Sequence, residues 1–181
     1  MVMQANDVLH FWFDQLTDKQ HFTKDVLLDA EINTRFGATL EAAARCELFA
    51  WRATALGRLA EIIVLDQFSR NVYRDTPRAF AQDVLALGLA KELVASGQDM
   101  LLTIKQRAFA FMPYMHSESA LIHAQAVQLF AQAGLENGLD FELCHQVIID
   151  RFGRFPHRNA LLGRASTAEE TAFLSEPGSS F

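Results

Sequence analysis

The segment LGRLAEIIVLDQFSRNVY, at residues 56–73, decides the fold class of this chain. Its run IIVLD resembles a buried strand, but the apolar pattern continues beyond the length of a strand and therefore indicates a helix. At about 100° per residue, one face of that helix carries Leu59, Ile62, Ile63, Asp66 and Arg70. Because the other faces are also apolar, the helix is predicted to be buried, with an inward ion pair between Asp66 and Arg70.

Helical spacing of apolar residues extends outward from this segment along almost the whole chain. Further helices are predicted over residues 6–16, 25–36, 40–49, 76–97, 100–111, 118–133, 139–152 and 166–174. These boundaries rest on capping residues, because glycine tolerates the left-handed conformation that ends a helix and the residue before proline avoids helical dihedrals. The residues that set them are Gly37, Gly97, Pro113, Ser117, Gly134, Gly153 and a capping box at Ser166 and Glu169 or at Thr167 and Glu170.

Apart from the short last helix, seven or eight helices of about 10 to 18 residues joined by short turns predict an all-α fold of antiparallel helix pairs, arranged as a bundle or a short superhelix. No linker rich in Pro, Gly or Ser divides them. We therefore expect one domain over residues 1–181, with a frayed tail at about 175–181.

Composition excludes several classes of protein. The chain has 181 residues, of which 50% are hydrophobic and 21% charged, and this excludes a disordered chain. A net charge of -6 argues against nucleic acid or an anionic membrane as a partner. Cys46 and Cys144 lack the spacing of a disulfide framework or a zinc site. With no basic segment ahead of an apolar N-terminal stretch, we expect a cytoplasmic protein.

Sequence motifs for common cofactors are absent, since neither a phosphate-binding loop nor a dinucleotide-binding glycine pattern occurs. No H-E-x-x-H pair suggests a metallohydrolase, and Cys144 and His145 diverge by one helical step. We therefore expect no cofactor and no metal. His10, His21 and His123 are interpreted as incidental.

The stretch RFGRFPHRNALLGR, at residues 151–164, is basic in a chain that is acidic overall. Its basic residues are Arg151, Arg154, His157, Arg158 and Arg164, with no acid among them. The guanidinium group suits bidentate binding of carboxylate or phosphate, so this stretch could form an anion site. Alternatively, these arginines cap the preceding helix and stack on Phe152 and Phe155.

Two other polar features fall where core residues are expected. Glu118 shares a helix face with Ile122, and His145 lies in the middle of an apolar stripe. His116, Ser117 and Glu118 stand at a predicted helix start, where free amides favour anions. Because buried charge must be paired, these residues form either a satisfied internal network or the wall of a wet pocket.

Three segments carry a resemblance to a known family: GRLAEIIVLDQFSRNVYRDTPRAFAQD, FMPYMHSE and DRFGRFPHRNALLGRASTAEETAFL. In this order they resemble the bacterial family called domain of unknown function 924, over nearly the whole chain. The resemblance implies an all-helical, tetratricopeptide-like fold and no known activity, substrate or cofactor. The family's motif positions fall on Asp66, Gln67, Arg70, Asn71, His116, Ser117, Glu118, Arg151, Arg154, His157, Arg158 and Asn159.

The leading hypothesis is a helical binding protein that holds a small anionic ligand or an acidic peptide end, with Asp66 and Glu118 orienting the arginines. The predicted binding residues are Asp66, Arg70, Asn71, His116, Glu118, Arg151, Arg154, His157, Arg158 and Asn159. The alternative is an enzyme acting on a phosphorylated or carboxylated small molecule, with His116 or His157 as acid or base and Glu118 or Asp66 as its partner. In a third hypothesis all the arginines are internal and the protein is a scaffold.

Overall fold

A computed structural model describes residues 1–179 of the chain, which are helical and contain no strand. The all-α prediction is confirmed. The helices are α1 Ala5–His10, α2 Asp18–Phe22, α3 Val26–Ala44, α4 Ala55–Ile63, α5 Ser69–Val72, α6 Asp83–Ala95, α7 Ile104–Met115, α8 Ala120–Phe130, α9 Glu136–Phe152 and α10 Ala168–Phe173. None of the helices within residues 1–179 is long and apolar enough to span a membrane.

The predicted central helix is present, but it contains a π-helical turn at Val64–Phe68 between α4 and α5. Every residue of that turn is buried. The segment packs against α1, α3, α6 and α7, which explains why all its faces are apolar. A π turn inserts one extra residue per turn and is frequent at functional sites.

Aromatic rings fill the core between α1 and the central helix. The Phe11 and Phe36 ring centroids lie 5.0 Å apart, and those of Phe36 and Phe68 lie 4.9 Å apart. Phe11 belongs to a second π turn, Phe11–Gln15, which continues α1 and confirms the helix predicted at residues 6–16.

Gly37 does not end a helix, so the prediction of two helices at 25–36 and 40–49 is wrong. α3 runs through Gly37 to Ala44 as one helix. Its buried stripe, with Leu28, Ile32, Phe36 and Leu40, keeps helical spacing across the glycine. Burying these side chains outweighs the helix propensity penalty of one glycine, about 1 kcal/mol.

Pro113 does not limit α7, so the predicted boundary at residue 111 is wrong. α7 begins after the capping box of Thr103 and ends at Met115, with Pro113 in its last turns. Proline removes one backbone donor there, and the burial of Phe111, Tyr114 and Met115 keeps the helix together. Residues 100 and 101, predicted as its first residues, belong instead to a separate 3₁₀ turn at Gln98–Leu101.

The start predicted for α8 is also wrong, because the helix begins at Ala120 with Ser119 as its N-cap rather than Ser117. The Glu118 carboxylate is held by other groups, described below. Residues 77–80 form a 3₁₀ turn before α6, so only part of the helix predicted at 76–97 is α-helical.

Two capping predictions near the C-terminal end are confirmed. Gly153 adopts φ 69° and ends α9, which starts at Glu136 rather than residue 139. Thr167 and Glu170 form the capping box of α10. Of the predicted frayed tail, residues 180 and 181 lie outside the described residues. α8 and α9 pack together as a hairpin over α7, and the chain from residue 153 onward returns toward α6.

Two glycines in helices offer a matched test of packing. A Cβ atom at Gly57 would lie 2.1 Å from the backbone oxygen of Trp51, whereas one at Gly88 meets no atom within 4 Å. We expect Gly57→Ala to lower the free energy of unfolding by about 1–3 kcal/mol through overpacking. We expect Gly88→Ala to raise it by about 0.5–1 kcal/mol. Urea unfolding measures both values, and equal effects of the two substitutions would contradict this packing.

Candidate functional site

The candidate site is built on Asp66, which the π turn places at the centre of the molecule with no solvent exposure. Its Oδ1 lies 2.8 Å from His116 Nδ1 and 3.1 Å from Arg70 Nη1. Burial opposes ionisation of the carboxyl, but Arg70 and His116 outweigh it and hold the pKa of Asp66 well below its usual range. Asp66 is therefore a buried carboxylate, and the predicted inward pair with Arg70 is present.

His116 follows the last turn of α7 and faces Asp66 across the core. Burial, with Arg70 nearby, lowers the pKa of His116 despite the opposing effect of Asp66. The imidazole is therefore neutral near pH 7. Because Asp66 accepts a hydrogen bond from Nδ1, the proton resides there and Nε2 keeps its lone pair.

Asp83, in the first turn of α6, joins two guanidinium groups. Its Oδ2 accepts hydrogen bonds from Arg70 Nη2 and from Arg158 Nη1, each at 3.1 Å. Its Oδ1 is fully buried and lies 3.1 Å from Arg70 Nη1, although within residues 1–179 no donor hydrogen is aligned with it. The single negative charge of Asp83 is thus shared between the guanidinium groups of Arg70 and Arg158.

Arg158 is a buried cation that packs between two aromatic rings. It is 6% exposed, and its guanidinium carbon lies 4.6 Å from the ring centroids of both Phe80 and Phe155. Asp83 is its one hydrogen-bond acceptor within residues 1–179, and its Nε donates to no group. Burial lowers the pKa of Arg158 to about 10, against the opposing effect of Asp83. The residue remains charged at neutral pH.

These side chains border a cleft of about 270 Å³, here called the Arg158 cleft. Its polar wall consists of Asp83, His116, Ser117, Glu118 and Arg158. Its apolar wall includes Phe80, Val84, Leu87 and Leu162. Since His116 Nδ1 contacts Asp66, Nε2 is the ring nitrogen left for a molecule in the cleft.

Glu118 precedes α8 and binds the basic stretch at residues 151–164, here called the basic loop. Its Oε1 accepts the Phe155 backbone N–H at 2.8 Å, and Arg164 forms a fork onto both oxygens at 2.6 and 2.9 Å. Burial opposes ionisation, but Arg164 and the Phe155 amide outweigh it and lower the pKa of Glu118. This contact holds Phe155 beneath Arg158.

Comparison with known proteins identifies the family. The model of a family described as bacterial proteins of unknown function, DUF924, matches residues 8–178. The chain belongs to the DUF924 family. A solved structure of the protein of unknown function ATU0120 from Agrobacterium tumefaciens is similar, with a TM-score of 0.90 and 36% sequence identity. The alignment covers 94% of this chain and 96% of that protein. No curated protein matches the chain.

The residues predicted to form the site do not all meet at the Arg158 cleft. Asn71 donates to Asp29 at 2.8 Å and joins the central helix to α3. Arg151 pairs with Glu169 at 2.9 Å on the surface, where its guanidinium stacks on Phe152. Both contacts are structural in the free protein, and a role of either residue in binding stays a prediction.

Arg154 and Asn159 contact the start of α10 instead of the cleft. Arg154 forks onto Glu170 at 2.6 and 2.8 Å, and this hydrogen bonding lowers the pKa of Glu170 to about 2. Asn159 donates to the same carboxylate at 3.3 Å and accepts from Arg164. His157 packs beside Phe155, with 5.5 Å between ring centroids. These contacts brace the basic loop.

Sequence reasoning missed two groups. Asp83 stands in the first turn of an amphipathic helix, where an acid usually complements the helix dipole at the surface. His123 was interpreted as incidental, but it is fully buried, with Nδ1 2.6 Å from Glu142 and Nε2 2.8 Å from the Ser117 carbonyl. The sequence does contain a signal for the burial of His123, because this polar residue lies within the apolar helix LIHAQAVQLF.

Metal binding finds no support within residues 1–179, where no three His, Cys, Asp or Glu side chains are grouped to hold an ion. The expectation of a metal-free site stays a prediction.

The buried imidazoles predict that stability depends on pH. Burial lowers the pKa of His145 to about 3 and that of His157 to about 4. Between those values and about 6.5, the unfolded chain binds protons that the folded chain does not, so stability falls as the pH is lowered.

We expect the free energy of unfolding in urea to decrease between pH 7 and pH 5, and His145→Gln to reduce that decrease. Cys144→Ser, at the exposed neighbouring position, is the control and keeps the pH dependence of the parent. An identical pH dependence in His145→Gln and the parent would refute this assignment.

Proposed function

We propose that this protein binds the anionic group of a small molecule, a carboxylate or a phosphate, in the Arg158 cleft. The observation that carries the proposal is the buried guanidinium of Arg158, which lines the cleft and has a single hydrogen-bond acceptor among the described residues. A guanidinium has five N–H donors, and an anion in the cleft supplies acceptors beyond the one that Asp83 provides.

The size of the cleft favours a small ligand over a peptide. Ligand pockets commonly measure about 300–1,000 Å³, and the Arg158 cleft, at about 270 Å³, lies below that range. An acidic peptide end fits only through its terminal carboxylate. The combination of one strong donor with an apolar wall is typical of sites that orient a ligand by its charged end.

An enzyme is the second candidate function, and the pair Asp66 and His116 favours it. A carboxylate that fixes the tautomer of a neutral histidine at the edge of a cleft is the arrangement of a general base. Nε2 of His116 could then remove a proton from a carboxylated or phosphorylated substrate held by Arg158.

His116→Gln separates the two functions once a ligand is known. Glutamine offers a polar amide but no base, so a binding protein keeps most of its affinity while an enzyme loses turnover.

The proposed location is the cytoplasm. Cys46 and Cys144 are both exposed and free, and exposed free thiols suit a reducing compartment.

Arg158→Gln tests the binding site. We expect phosphate or a short carboxylate, added to about 100 times its dissociation constant, to stabilise the parent by about 2.7 kcal/mol, and Arg158→Gln to lose that gain. Arg45→Gln is the matched control, because Arg45 lies on the surface and is not a predicted binding residue, and it should keep the gain. Thermal unfolding against sodium chloride of equal ionic strength measures the shift. Equal shifts in all three proteins, or none in the parent, would exclude the site.

A further inference from the structure

The charges that face the Arg158 cleft are not those of a simple anion site. Among the described residues, two carboxylates, those of Asp83 and Glu118, line the cleft, but only one guanidinium, that of Arg158, does so. Arg70 and Arg164, which pair with these carboxylates, stand behind the wall rather than on it. A ligand therefore meets more negative than positive groups.

Asp83 lies close to the position that an anion on Arg158 would take. Asp83 Oδ2 is only 3.1 Å from Arg158 Nη1, so two negative charges would be neighbours in a poorly solvated site. The Oδ1 atom of Asp83 is itself fully buried and lies 3.1 Å from Arg70 Nη1. A positive group next to the ligand's anion removes this repulsion.

The remaining wall is aliphatic. Val84 and Leu87 lie one helical turn apart on α6, and Leu162 comes from the basic loop. Val84 is 85% exposed. An aliphatic side chain of a ligand would cover it.

We propose that the ligand is a zwitterion with an aliphatic body, an α-amino acid such as leucine. Its carboxylate binds Arg158, its ammonium binds Asp83, and its side chain packs on Val84, Leu87 and Leu162. The two charged groups of an α-amino acid are carried by one carbon, so a single molecule reaches both Arg158 and Asp83. This inference rests on the proposed function, which requires only the anionic group.

Three probes of nearly equal shape test the inference on the intact protein. L-Leucine carries both charges, 4-methylpentanoate lacks the ammonium group, and 3-methylbutylamine lacks the carboxylate. We expect isothermal titration calorimetry at pH 7 to give leucine an affinity at least about tenfold above that of either analogue.

Asp83→Asn should remove the advantage of leucine over 4-methylpentanoate, because asparagine is isosteric but carries no charge. Glu92→Gln, which removes an exposed carboxylate further along α6, is the matched control and should keep the advantage. Circular dichroism checks that both variants are folded, and the three-probe comparison on the parent remains decisive if Asp83→Asn is not.

The outcomes distinguish the inference from the proposed function. If 4-methylpentanoate binds as tightly as leucine, the cleft is a plain anion site, and the zwitterion inference fails while the proposed function stands. If the amine binds best, or if neither carboxylate binds at millimolar concentration, both fail. Equal affinity of leucine for the parent and for Asp83→Asn would also overturn the inference.

Discussion

The structure depends on one constraint, the ionised carboxylate of Asp66 inside a helix that is apolar on all sides. A buried charge is tolerated only when paired, and Asp66 obtains Arg70 from its own helix and His116 from α7. Arg70 is then a buried cation that also contacts Asp83 on α6, and Asp83 contacts Arg158 in the basic loop. Each charged group is thus paired with another charged group from the next element. Through this series of ion pairs the central helix helps to position the loop that carries Arg158, which lies more than eighty residues away from Asp66 in sequence.

Arg158 is held in its position by a second set of contacts, which are independent of Asp66. Glu118 binds the Phe155 amide and Arg164, and Phe155 in turn forms one face of the sandwich around the Arg158 guanidinium. Arg154 braces the other end of the loop through Glu170. The loop is therefore built on helix ends and ion pairs, and such rigid support is what a preorganised site needs.

Local patterns in the sequence correctly predicted the helices and the buried residues of the central helix. They did not predict features that depend on residues distant in sequence, such as ion-pair partners. The periodicity of residues 56–73 identified the central helix and the buried Asp66, because burial on every face leaves a local signature. The helix end predicted at Gly37 was wrong, because burial of the apolar stripe of α3 outweighs the low helix propensity of one glycine. The basic residues 151–164 were treated as one patch, but their acidic partners come from α10 and from the start of α8, and such pairings have no signal in a single sequence.

Arg154 and Arg158 show why charge alone does not identify a binding residue. They lie four positions apart, yet Arg154 has two bonds to one carboxylate and another to the Ala165 carbonyl, while Arg158 has one bond and two aromatic neighbours. Aromatic faces hold a guanidinium in place without using its N–H groups, so Arg158 is fixed but still able to donate. Its neighbour Asp83 is likewise fixed, through contacts with Arg70 and Arg158. A site of this kind selects a ligand by the pattern of its donors and acceptors rather than by net charge, because the surrounding ion pairs already neutralise the interior.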